Sequence, residues 1–207
     1  MTNESEKYSG EVEMGGTRID NAERSALRAM RKRMQVVFQD PFASLSPRLT
    51  VGQIVGEGLA LHRADLSAAE REKLVLAMLD EVGLSERHGV ADVLQRYPHE
   101  FSGGQRQRIG IARALAVGPD LIIADEAVSA LDVSVQQQVL QLLAQLQRRH
   151  ALAYVFISHD LAVVRAMSHR VMVMQAGRIV EEGEAEALFA APREPYTREL
   201  LAAAQLA

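Results

Sequence analysis

Residues Phe101 to Asp132 read FSGGQRQRIGIARALAVGPDLIIADEAVSALD, and the reading of the whole chain turns on this stretch. Ser102 is a good helix N-cap, and Gln105 stands three residues on, the spacing of a capping box. Gly103 and Gly104 leave no side chain where an incoming anion would meet backbone N–H groups. A helix N-terminus carries about half a positive charge, so the start of this helix suits a phosphate. The same letters also suit a Gly-Gly turn entering an ordinary helix. Further on, Leu121-Ile122-Ile123-Ala124 is a short aliphatic run ending in Asp125 and Glu126. Buried parallel strands read as such runs, and ligands gather at their carboxyl ends. An Asp there can hold Mg²⁺, directly or through water. The Glu beside it can orient or deprotonate a water. The bland alternative is a strand that ends in solvated acids.

Composition narrows the class. The chain has 207 residues, 48% hydrophobic and 24% charged, which is ordinary for one globular domain or a core with an inserted lobe. A net charge of −4 gives no reason to expect nucleic acid or an anionic membrane surface as partner. There is no cysteine, hence no disulfide framework, no thiolate nucleophile and no thiolate metal site. No apolar run approaches a bilayer-spanning length. The first ten residues, MTNESEKYSG, lack the apolar core of a signal peptide. A membrane connection is therefore expected to go through a partner.

In chain order, Glu11–Met14, Gly15-Gly16 and Thr17–Asp20 predict a small hairpin. Residues 22–33 predict a basic helix whose Arg28, Arg31, Lys32 and Arg33 form a solvated face. Met34–Phe38 predicts a buried strand ending at Gln39, whose amide oxygen can serve a metal or a water or simply cap the strand. Residues 51–100 predict helices. In one of them Ser67 and Glu70 form a capping box, Leu74, Ala77, Met78 and Val82 share a face, and Gly83 stops the helix. A short helix is expected near Val90–Arg96. His99, with no second His or Cys in range, is expected to be a helix-end hydrogen bonder rather than a metal ligand. Val135, Val139, Leu142, Leu143 and Leu146 predict the buried stripe of a long helix. Tyr154–Ile157 predicts a strand ending in Ser158-His159-Asp160. Val171–Met174 and Arg178–Gly183 predict a final hairpin around Gly177.

The order SGGQ, helix, LIIADE, SALD resembles the signature, Walker B and D-loop of the nucleotide-binding subunits of ATP-binding cassette (ABC) transporters. Around it, DPFASLSPRLTV (40–51), RYPHEF (96–101) and the Pro195-Tyr196-Thr197 tail resemble the oligopeptide/dipeptide importer branch, with Ser46 where that branch usually has Asn. The resemblance implies an α/β, P-loop NTPase-like fold with an inserted helical subdomain. The implied division is a remnant of the N-terminal ATPase core (1–40), the helical subdomain (41–104), the ATPase core with Walker B, D-loop and H-switch (105–183), and a helical tail (184–207). It implies an ATPase with ATP and Mg²⁺ as cofactors. Asp125 and Gln39 would serve the metal, Glu126 would be the general base, and His159 would contact the γ-phosphate as the H-switch. Ser102, Gly103, Gly104 and Gln105 would act in trans on the ATP of a second ATPase subunit, with Asp132 at the dimer interface. It implies transmembrane permease subunits, an extracellular solute-binding protein reached through them, no nucleic acid, and a place on the cytoplasmic face of the membrane. Di- and oligopeptides are the expected solutes, although nickel and other small solutes use similar ATPases.

Two departures stand out. Ala127 occupies the place where the family has Pro. The Walker A loop GxxxxGK[ST] is missing: Lys7, Lys32 and Lys73 are the three lysines, and none sits in such a loop. Aligning Ser9–Val12 with the family pattern places that loop, its strand and its helix before residue 1. The expectation is that these 207 residues by themselves are marginally stable, leave strand edges uncovered and bind Mg-ATP poorly. The alternative function is a non-catalytic partner that lends only its signature to a complete subunit. Soluble ABC ATPases of DNA repair or translation lack the DPxxSLxPR and PYT segments.

Overall fold

A computed structural model describes residues 11–40, 42–84 and 90–204. The polar stretch 1–10, with Lys7, Ser9 and Gly10, lies outside the described residues, as does Pro41.

The chain opens with the expected hairpin, β1 (Glu13–Met14) against β2 (Thr17–Arg18), antiparallel around two glycines with positive φ. Helix α1 (Arg24–Arg33) carries five basic residues and buries Met30. It runs directly into β3 (Met34–Val37). Next come α2 (Val51–His62), α3 (Ala68–Glu81) and the short α4 (Val90–Gln95), followed by a 3₁₀ turn at Pro98–Glu100. Thr50 and Ser67 cap α2 and α3 with complete capping boxes, the second of which the Ser67/Glu70 spacing predicts. The α3 stripe differs from expectation by one position. Val75, Leu79 and Val82 are buried, Leu74 and Met78 pack beside them, and Ala77 is exposed. The periodicity set the face only to within one residue, and packing against α2 and α5 chose between the neighbours.

Helix α5 (Gly103–Ala116) joins the two lobes. It packs on α2 and α3 at one side and on β3 and α6 at the other. Its Ile109, Ile111, Ala112, Ala114 and Leu115 are buried. Then β4 (Leu121–Asp125), α6 (Val133–His150) and β5 (Ala153–Ile157) complete the core. The sheet order is β3-β4-β5, all parallel, with Val37 opposite Ala124 and Asp125 opposite Ile157. The α6 stripe is as predicted, with Val139, Leu142, Leu143 and Leu146 buried. The helix ends at Ala151, which adopts a left-handed φ of 52°.

Helix α7 (Leu161–Met167) leads to β6 (Arg170–Gln175) and β7 (Arg178–Glu184), an antiparallel pair. Among the described residues β5 is laddered only to β4, and β6 only to β7. Strand β5 therefore alternates rather than being buried throughout. Tyr154 and Phe156 are half-buried, while Val155 is 40% and Ile157 49% exposed. Met172 and Met174 on β6 are exposed as well. The tail forms α8 (Ala185–Ala190) and α9 (Pro195–Ala203), whose Phe189 and Leu201 make a small second core with Val164 and Ala185.

Candidate active site

The parallel register delivers the chemistry to one end of the sheet. Gln39 follows β3, Asp125 closes β4, and Ser158-His159 follow β5, all at carboxyl ends. Beyond Asp125 the ladder continues for one bond, because the Glu126 N–H donates to the Ile157 carbonyl at 2.9 Å. That bond brings the residue after β4 beside the loop after β5. Glu126 takes a left-handed φ of 46°, a conformation that costs a non-glycine residue about 1–2 kcal/mol. Ser129 holds it there. Its backbone N–H and its hydroxyl both donate to the Glu126 carbonyl at 3.0 Å, and the hydroxyl also reaches Oε2 at 3.3 Å.

The twisted backbone aims the Glu126 carboxylate at His159. Nδ1 of His159 lies 3.1 Å from Glu126 Oε1. An ionised carboxylate can only accept, so Nδ1 carries the proton in this pair. In the neutral form of this tautomer Nε2 is the acceptor. The imidazole is 71% exposed and the carboxylate 28%, so a partly shielded acid is paired with an open histidine.

Asp125 and Gln39 are exposed at the ends of neighbouring strands. They are two hard oxygen donors on one edge of the site. Among the described residues there is no cluster of three or more His, Cys, Asp or Glu able to hold a metal.

At the start of α5 the capping box forms as the spacing predicts. The Gln105 N–H donates to Ser102 Oγ at 3.3 Å, and the Ser102 N–H donates to Gln105 Oε1 at 2.9 Å. Gly104 has a reason beyond anion access. A Cβ there would stand 2.3 Å from Cγ1 of Val135, in the first turn of α6. At Gly103 the nearest atom would be a Leu131 methyl at an ordinary 3.8 Å. The signature turn is thus seated on the segment that follows Glu126. Asp132 caps α6 there, its Oδ1 accepting from Val135 N–H at 3.0 Å and Ser134 Oγ at 2.7 Å. These donors hold its carboxyl below the usual range, the Ser134 hydroxyl first among them.

Sequence reasoning missed several contributors. Asp160 caps α7 through the N–H groups of Ala162 and Val163, and its other oxygen accepts from Gln136 Nε2 at 3.1 Å. An Asp just before an apolar helical run is an N-cap signal that could have identified it. Arg106 lies inside α5, where no pattern in the sequence marks it. Its buried guanidinium donates to the carbonyls of Pro98 and His99 and lies 3.8 Å from the centre of the Phe42 ring. His99 therefore differs from expectation. Its carbonyl takes the hydrogen bond, while its ring stacks on Tyr97 at 5.8 Å.

No helix among the described residues is long and apolar enough to cross a membrane. A family model described as ABC transporter matches residues 1–129, more than half of the chain. A probable peptide ABC transporter ATP-binding protein, y4tS of Sinorhizobium fredii, is 56% identical over 196 residues, covering 95% of this chain and 54% of the relative. The glutathione import ATP-binding protein GsiA of Escherichia coli O157:H7 is 52% identical over 202 residues, covering 98% and 32%. The chain thus spans about a third to a half of these curated relatives. Among solved structures, the dimeric ATP-binding cassette MJ0796 in a post-hydrolysis state bound to ADP and Pi aligns with a TM-score of 0.72 at 31% identity. It covers 86% of this chain and 74% of its own. With the family model matched over most of its length and the same α/β nucleotide-binding fold beneath it, the chain belongs to the ABC transporter family of ATPases.

Proposed function

We propose that this chain is the ATP-hydrolysing subunit of an ABC importer for di- or oligopeptide-type solutes. The observation that carries the reading is the Glu126–His159 pair, 3.1 Å apart at the carboxyl end of the β4–β5 ladder and beside Asp125. The peptide and glutathione importers among the relatives support the solute class. Asp125 and Gln39 are the groups that would hold Mg²⁺, which when bound neutralises charge on the phosphates. Glu126 takes a proton from the attacking water. His159 keeps Glu126 oriented through Nδ1 and offers Nε2 to the water or the γ-phosphate edge. Ser102, Gly103, Gly104 and Gln105 present the N-terminus of α5 to ATP held by a second ATPase subunit, and Asp132 lies at that interface. Residues 41–104 form the lobe that meets the permease subunits at the cytoplasmic face, residues 1–40 and 105–183 the catalytic core, and 184–207 a tail.

The test is ATP turnover by this chain in complex with a second ABC ATPase subunit. Glu126→Gln and His159→Ala are each expected to lower turnover at the site that carries them by about 10²–10⁴-fold, the usual worth of a general base. Turnover unchanged by both substitutions refutes the assignment.

A further inference from the structure

Hydrogen bonds and the short backbone segments between them connect Glu126 to His159 by a second route, through Gln136 and Asp160. From Glu126 the chain runs through Ser129, which holds the Glu126 backbone and carboxylate, to Leu131, whose N–H donates to Val128 O at 3.2 Å. Asp132 then caps α6 and accepts at its carbonyl from Gln136 N–H at 2.8 Å. The Gln136 side chain crosses to α7 and donates to Asp160 Oδ2 at 3.1 Å. Asp160 spends its other oxygen on the N–H groups of Ala162 and Val163, and its own N–H donates to Ser158 Oγ at 3.0 Å. Both neighbours of His159 are thereby tied down, and His159 itself pairs with Glu126.

His159 itself is not clamped by packing, since its ring is largely exposed. Something else must select its orientation. On the β4 side the turn is fixed by Ser129. On the α7 side the bond from Gln136 is the tie that reaches the turn from α6. A side-chain amide holds its two N–H donors in a fixed plane, so its bond to a carboxylate carries position as well as energy. Gln136 sits one helical turn after Asp132, and Val135 between them bears on Gly104. A shift of the 131–135 segment must therefore move Gln136.

We propose that Gln136 and Asp160 are positioning residues. Their bond transmits the placement of the Asp132 turn to the His159 imidazole and so sets the Glu126–His159 pair. The geometric half of this stands on the fold of the chain. Its consequence for turnover rests on the ATPase reading above.

The experiment reads the His159 ring directly, by ¹⁵N NMR of the full chain at a pH where the imidazole is neutral. Wild type is expected to show the Nδ1–H tautomer in excess, because Nδ1 donates to Glu126. Glu126→Leu and Gln136→Leu should each lower the Nδ1–H to Nε2–H ratio about fivefold, the factor carried by one ordinary hydrogen bond. Gln136→Lys keeps a donor facing Asp160 and should hold the wild-type ratio, which also guards against misreading a folding defect. Gln137→Leu, exposed on the same helix, should leave it unchanged. In complex with a second ATPase subunit, Gln136→Leu should lower kcat with KM preserved. If Glu126→Leu shifts the ratio and Gln136→Leu does not, the coupling is overturned while the catalytic pair stands. If neither shifts it, the pair is not formed in solution and both readings fall.

Discussion

Substituting Ala at Gly104, and not at Gly103, should destabilise the protein. The new Cβ would lie 2.3 Å from Val135 Cγ1. Carbon atoms in contact settle at about 3.5–4.0 Å, so a displacement of more than about 1 Å is required. Val135 cannot simply rotate away. A helical valine holds one χ1 rotamer about 90% of the time, and its Cβ and Cγ2 already stand 3.7 and 3.8 Å from the same point. Helix α5 cannot easily yield either, because Ile109 and Ile111 behind it are fully buried. Overpacking of this kind costs about 1–3 kcal/mol, offset by about 0.5–1 kcal/mol from the better helix propensity of Ala. At Gly103 the clash is absent and only the offset remains. In urea unfolding followed by circular dichroism, Gly104→Ala should thus fall about 2 kcal/mol below Gly103→Ala. Adding Val135→Ala should recover most of that difference, a coupling that a double-mutant cycle measures. Equal stability of the two Ala variants, or no rescue by Val135→Ala, would show that Gly104 is kept glycine by anion access alone.

Arg106→Leu should cost about 3 kcal/mol, since it strands the Pro98 and His99 carbonyls that its guanidinium satisfies. Hydrogen exchange should quicken first at the Glu100 and Phe101 amides. Tyr154 donates to the Leu143 carbonyl at 3.0 Å, and burial pushes its phenol well above the usual range. Its contribution is therefore complete below about pH 10 and lost as pH rises further. Tyr154→Phe should cost about 1 kcal/mol at neutral pH and flatten the alkaline decline in thermal stability. At the acid end, Asp132, Glu70 and Glu100 are among the carboxyls held below the ordinary range, by Ser134, the Ser67 hydroxyl and the Tyr97 N–H respectively. Their stabilisation is present above about pH 4 and lost as pH falls through the lowered values. Asp132→Asn should blunt that acid loss in a pH series of melting temperatures.

Local patterns in the sequence carried much of the architecture. Capping boxes at Ser67 and Ser102, the aliphatic run before Asp125 and the stripe from Val139 to Leu146 all specify their elements within a few residues. They were legible because each depends on neighbours one or two turns away. The acids at Asp125 and Glu126 were legible too, because a run of aliphatics ending in carboxylates is itself a strand-end signal. What tertiary structure decided depends on pairs far apart in the chain. Register placed Asp125 opposite Ile157 and so set Glu126 beside His159, 33 residues away. It put Gly104 under Val135 and joined Gln136 to Asp160. It also decided that β5 is half exposed although its residues are mostly apolar, since a strand's burial depends on which strands lie beside it. No periodicity in a single segment encodes such contacts. They arise only when separate elements meet and their side chains compete for the same space and the same hydrogen bonds.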